Sequence, residues 1–295
     1  MKQDQVSSTA FTVMQGILYI AQSTPFSYLV KDEVVEVGNQ LLMDSEEGRK
    51  RLNQLKSPIL PLTVKIKEYL MLPGITLHYI LRKSYIEDKA VEAIKNGTVQ
   101  VVNLGAGFDT LAWRFCQQHK EVNFIEIDHP ATSKYKKKAL QKDASNIDNM
   151  HFLSVDFSQQ NLYQALSEYE HFDDSLPTLY ICEGVLMYLS KEDIDLLFDS
   201  IAKLTGTNSQ LVFTAIEPQH SPKNNIRNLL YFYLKTVNEP ICWTQDSTQL
   251  EQFVQTQNCT LEAYADTAEL RRRYIKEDKT PTLHWGEYMV SVRFN

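Results

Sequence analysis

Between residues 100 and 215 the chain alternates short β-type runs with amphipathic helical stretches, and this alternation constrains the fold before any single residue is weighed. The runs are Gln100–Leu104, Val122–Ile127, His151–Val155, Thr178–Cys182 and Gln210–Ala215. The plainest helix between them follows Ser190, with Asp193 as its capping partner and Ile194, Leu197, Phe198 and Ile201 on one face. Strand and helix alternating at this spacing predict an α/β fold, a mostly parallel sheet with helices on both faces. Right-handed crossovers bring the C-terminal ends of the strands to one edge, where ligands bind in open sheets. After a loose Pro- and Asn-rich stretch, Glu217 to Asn225, a helix is predicted from about Thr248 to Gln257. Strands Cys259–Ala265 and Glu287–Phe294 then complete a seven-stranded sheet on one side.

The first third reads as helical and irregular, punctuated by Pro58, Pro61 and Pro73. Phe11, Met14, Leu18 and Ala21 recur at helical spacing, with Ile17 on the same side. They predict an amphipathic helix rather than an export signal, because Asp4 and Gln15 interrupt the pattern a signal requires. Ser84 and Glu87 predict the start of a better-defined helix with Ile86, Ala90, Val91 and Ile94 inward and Gly97 ending it. Residues 1–97 are therefore expected to form a helical region packed on the core as a cover. Residues 98–295 are expected to form the core and its C-terminal elements.

Composition excludes several classes. A net charge of −7 and a pI near 5.6 argue against a general nucleic-acid binder, and no nucleic-acid partner is expected. No apolar run reaches the roughly 18 residues of a membrane span, so no membrane partner is expected either. Cys116, Cys182, Cys242 and Cys259 form no C-x-x-C pair and read as reduced thiols, which points to the cytoplasm and to no metal site. The run Lys134 and Lys136 to Lys138 reads as a solvated helix face rather than a binding patch, and Arg271 to Arg273 as a surface helix. Tyr231, Phe232 and Tyr233 either line a pocket or pack.

The chemistry gathers at the predicted ligand edge. Val101 to Leu104 runs into Gly105-Ala106-Gly107 and then a helix, a turn that lets a ligand approach bare backbone beside free N–H groups. Thr110 stands where a dinucleotide fingerprint wants its third small residue, so the match to NAD is poor. Asp128 ends the second strand about 20 residues further on, where a carboxylate accepts ribose hydroxyls. Asp156, with Phe157 beside it, ends the third strand, and Glu183 ends the fourth. Such an acidic rim is awkward for a pyrophosphate and comfortable for a ligand with a sulfonium and an ammonium. The charge pattern thus favours S-adenosyl-L-methionine over a dinucleotide.

Three stretches make the reading specific: Asn103 to Arg114 (NLGAGFDTLAWR), Glu126 to Pro130 (EIDHP) and Cys182 to Leu189 (CEGVLMYL). In order and spacing they resemble the leucine carboxyl methyltransferase family, which includes bacterial polyketide-type O-methyltransferases. The resemblance implies a Rossmann-like methyltransferase fold, S-adenosyl-L-methionine as cofactor, and a small-molecule or peptide-terminus methyl acceptor with a carboxylate or hydroxyl. It further implies that Arg82 pairs with the cofactor's carboxylate and that Gly105 and Gly107 flank its methionine part. Asp128 would hold the ribose, Asp156 and Phe157 the adenine, and Glu183 the amino end. Tyr188 is the candidate catalytic residue, and it either faces the acceptor or packs. The chain departs from the family in lacking a basic residue between Phe11 and Ala21, and in carrying Leu111 where many bacterial members carry arginine. Two other readings stay open: an adenosylmethionine-binding partner protein without catalysis, and an NAD-dependent oxidoreductase.

Overall fold

The computed structural model describes residues 6–140, 147–157, 159–206, 208–236 and 239–295. Helices α1 (Ser8–Ser23), α2 (Asp32–Met43), α3 (Glu46–Leu55), α4 (Leu60–Leu70) and α5 (Ile75–Lys95) precede the sheet. Strands β1 (Gln100–Leu104), β2 (Asn123–Asp128), β3 (Met150–Ser154), β4 (Thr178–Cys182) and β5 (Gln210–Ile216) then alternate with helices. The helices between them are α6 (Leu111–Gln118), α7 (Pro130–Leu140), α8 (Leu162–Ser167) and α9 (Lys191–Lys203). After β5 come α10 (Asn228–Thr236), α11 (Leu250–Thr256), β6 (Cys259–Ala265), α12 (Thr267–Tyr274) and β7 (Glu287–Phe294).

The strands form one seven-stranded sheet in the order β3-β2-β1-β4-β5-β7-β6. Strands β1 to β5 pair in parallel, and β7 inserts antiparallel between β5 and β6. The pleat sends alternate residues to opposite layers. Val101, Phe124, Leu179, Val212 and Met289 pack with the buried faces of α1, α2 and α5. Val102, Ile125, Tyr180, Leu211 and Val290 pack with α9 and α11 on the other side. The α/β architecture expected from the sequence is the one observed, and no helix of the described residues is long and apolar enough to cross a membrane.

Local signals held where side chains match their burial. The Ser7 side chain accepts from the Ala10 N–H to cap α1, which buries Phe11, Met14, Ile17 and Leu18. Ser190 and Asp193 close a capping box on α9. Strand β3 ends at Ser154, two residues short of Asp156.

Two expectations are corrected. Ser84 does not start a helix: it lies inside α5, where its hydroxyl donates to the Ile80 carbonyl at 2.8 Å. Glu87 does not cap that helix; it accepts from Arg114 at 2.5 Å and pairs with Lys31. The first turns of α5 bury His78 and Arg82 among Leu77, Ile80 and Leu81, and these polar residues on the inner face mask the apolar period.

Nor is Lys136 on a solvated face. Its side chain is 2% exposed and its ammonium lies 2.6 Å from the Glu126 carboxylate on β2. Burial pushes Glu126 up to about 7 against the pull of Lys136. Helix α10, which the sequence did not announce, carries exposed Leu229, Phe232 and Tyr233.

The buried Lys136–Glu126 pair generates a test. Lys136→Met should strand Glu126 and lower unfolding free energy by about 3–5 kcal/mol in urea titrations. Adding Glu126→Leu should recover most of that loss, because the double replacement removes both desolvation penalties. Additive losses in the double variant would refute this account of the pair.

Candidate functional site

Parallel pairing of β1 to β4 brings the turn after β1, the end of β2, and the segments after β3 and β4 to one edge. The glycine turn sits there with positive φ at Gly105 (65°) and Gly107 (47°), a region that side chains avoid. A Cβ on Gly105 would lie 2.5 Å from the Val185 side chain, so the turn after β1 interlocks with the one after β4. Asp128 orients this backbone: one carboxylate oxygen accepts the Gly107 N–H at 2.6 Å and the other the His129 N–H at 2.7 Å. Burial raises the Asp128 pKa against these two bonds.

Arg82, 7% exposed on α5, is the hub of a buried charge cluster. Its Nε donates to Glu183 at 2.6 Å, and its Nη1 lies 2.8 Å from both oxygens of Glu287. Glu287 also accepts from His78 Nε2 at 2.9 Å. Lys83 pairs with the second Glu183 oxygen at 3.0 Å and with Asp109. Burial alone would raise both acids, but Lys83 holds Asp109, and Arg82 with His78 holds Glu287, well below the usual carboxylate range. For Arg82 and Lys83 burial works downward, and the facing carboxylates outweigh it and raise both.

Of the residues the sequence singled out, Arg82, Gly105, Gly107, Asp128 and Glu183 come together in this way. Asp156 follows β3 at the same edge, and Phe157 beside it is 48% exposed. Tyr188 closes a short 3-10 turn, Leu186–Tyr188, and is 37% exposed. Its hydroxyl is pushed up to about 12, first by desolvation and then by the charges of Glu239 and Glu287, so it stays protonated near neutrality. The Cys242 and Trp243 N–H groups both donate to the Met187 carbonyl within this turn. Behind that segment an open cavity of about 490 Å³ is lined by Tyr231, Phe232, Ile241 and Cys242, with Lys235 among its walls. His284 is buried, donates from Nδ1 to the Asn225 side-chain oxygen at 2.8 Å, and is lowered to about 3 chiefly by desolvation.

Sequence reasoning missed Lys83, Asp109, His78 and Glu287. Asp109 lay inside the quoted glycine run and Lys83 beside Arg82. Glu287 was visible only as the first residue of a predicted strand. Since β7 runs antiparallel, that first residue pairs with Ile216 at the C-terminal end of β5 and so reaches the edge that carries the glycine turn.

The sequence pattern of leucine carboxyl methyltransferases matches residues 25–202, more than half of the chain. The chain belongs to the leucine carboxyl methyltransferase family. Among relatives of this chain is YktD of Bacillus subtilis (strain 168), provisionally named an S-adenosyl-L-methionine-dependent methyltransferase. It is 32% identical over 136 residues, covering 45% of this chain and 44% of that protein. A protein of Mycobacterium tuberculosis (strain ATCC 25618 / H37Rv) with the same provisional name is 34% identical over 132 residues, covering 44% of this chain and 37% of its own length. The match thus spans less than half the length of these relatives. Among solved structures, a provisionally named methyltransferase of Thermobifida fusca YX superposes with a TM-score of 0.61 at 17% identity, over 88% of this chain and 93% of that one. A DUF574 family protein of Streptomyces avermitilis gives 0.58 at 11% identity, over 99% of both chains. These two superpositions show the shared fold.

The lowered carboxylates make the cluster sensitive to acid. Asp109 and Glu287 take up protons in the unfolded chain at their ordinary values, near about 4, before they do in the folded one. Their stabilising contribution is therefore present above that range and is lost as pH falls through their lower folded-state values. Unfolding free energy measured between pH 5 and pH 3 should fall less steeply in Asp109→Asn than in the wild type. Equal slopes would count against the assigned pairing.

Proposed function

We propose that this chain is an S-adenosyl-L-methionine-dependent O-methyltransferase whose acceptor is a carboxylate of a small molecule or peptide terminus. The observation that carries the reading is the charge of the buried cluster. Three carboxylates, Asp109, Glu183 and Glu287, face two cations, Arg82 and Lys83, and Asp128 adds a further carboxylate at the glycine turn, so acids outnumber arginine and lysine there. That excess complements a ligand with one net positive charge, which S-adenosyl-L-methionine carries. It opposes a pyrophosphate.

Arg82 supports a role at the ligand's carboxylate, Glu183 at its ammonium, and the Gly105–Gly107 backbone along its methionine part. Asp128, already fixed by the turn, suits the ribose hydroxyls, and Asp156 with the exposed ring of Phe157 suits the adenine. When bound, the cofactor supplies a methyl group whose bond to sulfur breaks as the acceptor oxygen bonds to carbon, the electron pair leaving on a neutral thioether. The chain's task is then to align the acceptor and exclude water. The protonated Tyr188 hydroxyl can donate to an acceptor oxygen, and the cavity beside Tyr231 and Ile241 can hold the acceptor's body. A carboxylate needs no base. His284, buried and lowered to about 3, is unsuited to deprotonating a hydroxyl, which favours the carboxylate.

The helical region 1–97 acts in this reading as a cover. Ala10 on α1 lies 3.5 Å from a Cβ built on Gly107, and Phe11 meets the Phe108 ring edge-on at 4.8 Å. Thr9 reaches across to Glu239 at 3.4 Å.

Calorimetry should show binding of S-adenosyl-L-methionine and none of NAD. Asp128→Ala should weaken the former on the order of 100-fold, as loss of charged hydrogen bonds implies. Absence of adenosylmethionine binding to the wild type would sink the reading. With methyl-labelled cofactor and a panel of carboxylic and hydroxylic acceptors, ester products release labelled methanol in base and ethers do not. A base-stable product would exclude the carboxylate.

A further inference from the structure

Glu287 is 3% exposed, and nothing in the pattern of the glycine turn or the parallel strands points to it. Both of its oxygens reach Arg82 Nη1 at 2.8 Å, and one also reaches His78 Nε2 at 2.9 Å. His78 Nδ1 is buried with no hydrogen-bond partner among the described residues. With Nε bound to Glu183 and Nη1 to Glu287, the Arg82 guanidinium cannot rotate without breaking one of these contacts. Its remaining nitrogen, Nη2, lies toward Gly184, where an added Cβ would stand 3.5 Å away. An added Cβ there would also stand 3.6 Å from Nη1, in ordinary contact with the guanidinium; the positive φ of 68° is what calls for glycine.

Glu287 also adds to the negative charge of the site. Asp109 and Glu183 balance Arg82 and Lys83, so Glu287 brings this cluster an excess carboxylate, in addition to Asp128 at the glycine turn. S-adenosyl-L-methionine carries a sulfonium, an ammonium and a carboxylate. Its product, S-adenosyl-L-homocysteine, has lost the sulfonium charge and is neutral overall. A buried negative charge therefore distinguishes the two by charge at nearly unchanged shape.

We propose that Glu287 is a positioning and specificity residue of the methyl-donor site, fixing Arg82 with Nη2 toward the ligand and making the site prefer the charged donor to its neutral product. The inference rests on the donor reading above and adds to it a residue, a role and a direction of selectivity. Product leaves more readily because the charge that held the donor no longer meets a partner.

The test measures affinities of both S-adenosyl-L-methionine and S-adenosyl-L-homocysteine by calorimetry for wild type, Glu287→Gln and Glu287→Asp, with thermal midpoints as a fold control. Glu287→Gln should lower the donor-to-product affinity ratio on the order of ten-fold. Glu287→Asp keeps the charge and shortens the reach, so it should weaken both ligands while preserving the ratio. A purely structural role predicts that Gln weakens both ligands equally, and that result, or no change, overturns the proposal. If Glu287→Gln does not fold, the Asp variant still decides: a collapsed ratio overturns the charge role, and undiminished affinity overturns the positioning role. Wild-type protein that binds neither ligand would reject the donor reading itself and this inference with it. A wild type that binds both, with variants that leave ratio and affinity intact, rejects the inference alone.

Discussion

The buried guanidinium of Arg82 is the constraint on which the rest of the site depends. A charge this far from water is tolerated only where carboxylates meet it at hydrogen-bonding distance. Here they come from two separate parts of the sheet, Glu183 beyond β4 and Glu287 at the start of β7, while Arg82 itself rides on α5 outside the sheet. One side chain thus ties the helical region to two strand ends on either side of β5. Lys83 extends the tie to Asp109 after β1. Such a cluster is a poor source of net stability, since well-packed apolar residues would serve as well. What it does is hold charge in fixed positions at the edge that carries the glycine turn.

That edge exists because of topology. Parallel strands deliver their C-terminal ends to it as a matter of course, and the glycine turn, Asp128 and Glu183 arrive by that route. Glu287 arrives by the opposite one. The antiparallel insertion of β7 between β5 and β6 turns a strand's beginning toward the ligand edge. The reversed strand therefore changes the electrostatics of the site as well as extending the sheet.

The glycine turn and α1 show a second coupling. Ala10 faces Gly107, where even an added Cβ would meet it in ordinary contact at 3.5 Å, and the rings of Phe11, Phe108 and Tyr135 pack nearby. The lack of a basic residue in α1 leaves this contact apolar, and the cations of the site come instead from α5.

Much of this was legible in the sequence, for reasons that can be named. The strands were readable because their residues alternate between two buried layers, and β1, β4, β6 and β7 were located to the residue. The glycine turn and the acids at successive strand ends were readable because strand, turn and acid are adjacent in the chain. The start of α5 was hidden, because buried His78 and Arg82 interrupt its apolar period. Lys136 looked solvated because it stands among exposed lysines, and only the fold sets it against Glu126. The role of Glu287 was undecidable from sequence, because the residues that meet there are 205 and 209 positions apart and the direction of β7 decides their meeting. By itself, the sequence determined the alternation, the turn and the acids, all set by neighbours along the chain. The tertiary structure alone decided which charges face one another, because desolvation and Coulomb energy depend on distance in space, whatever the separation in sequence.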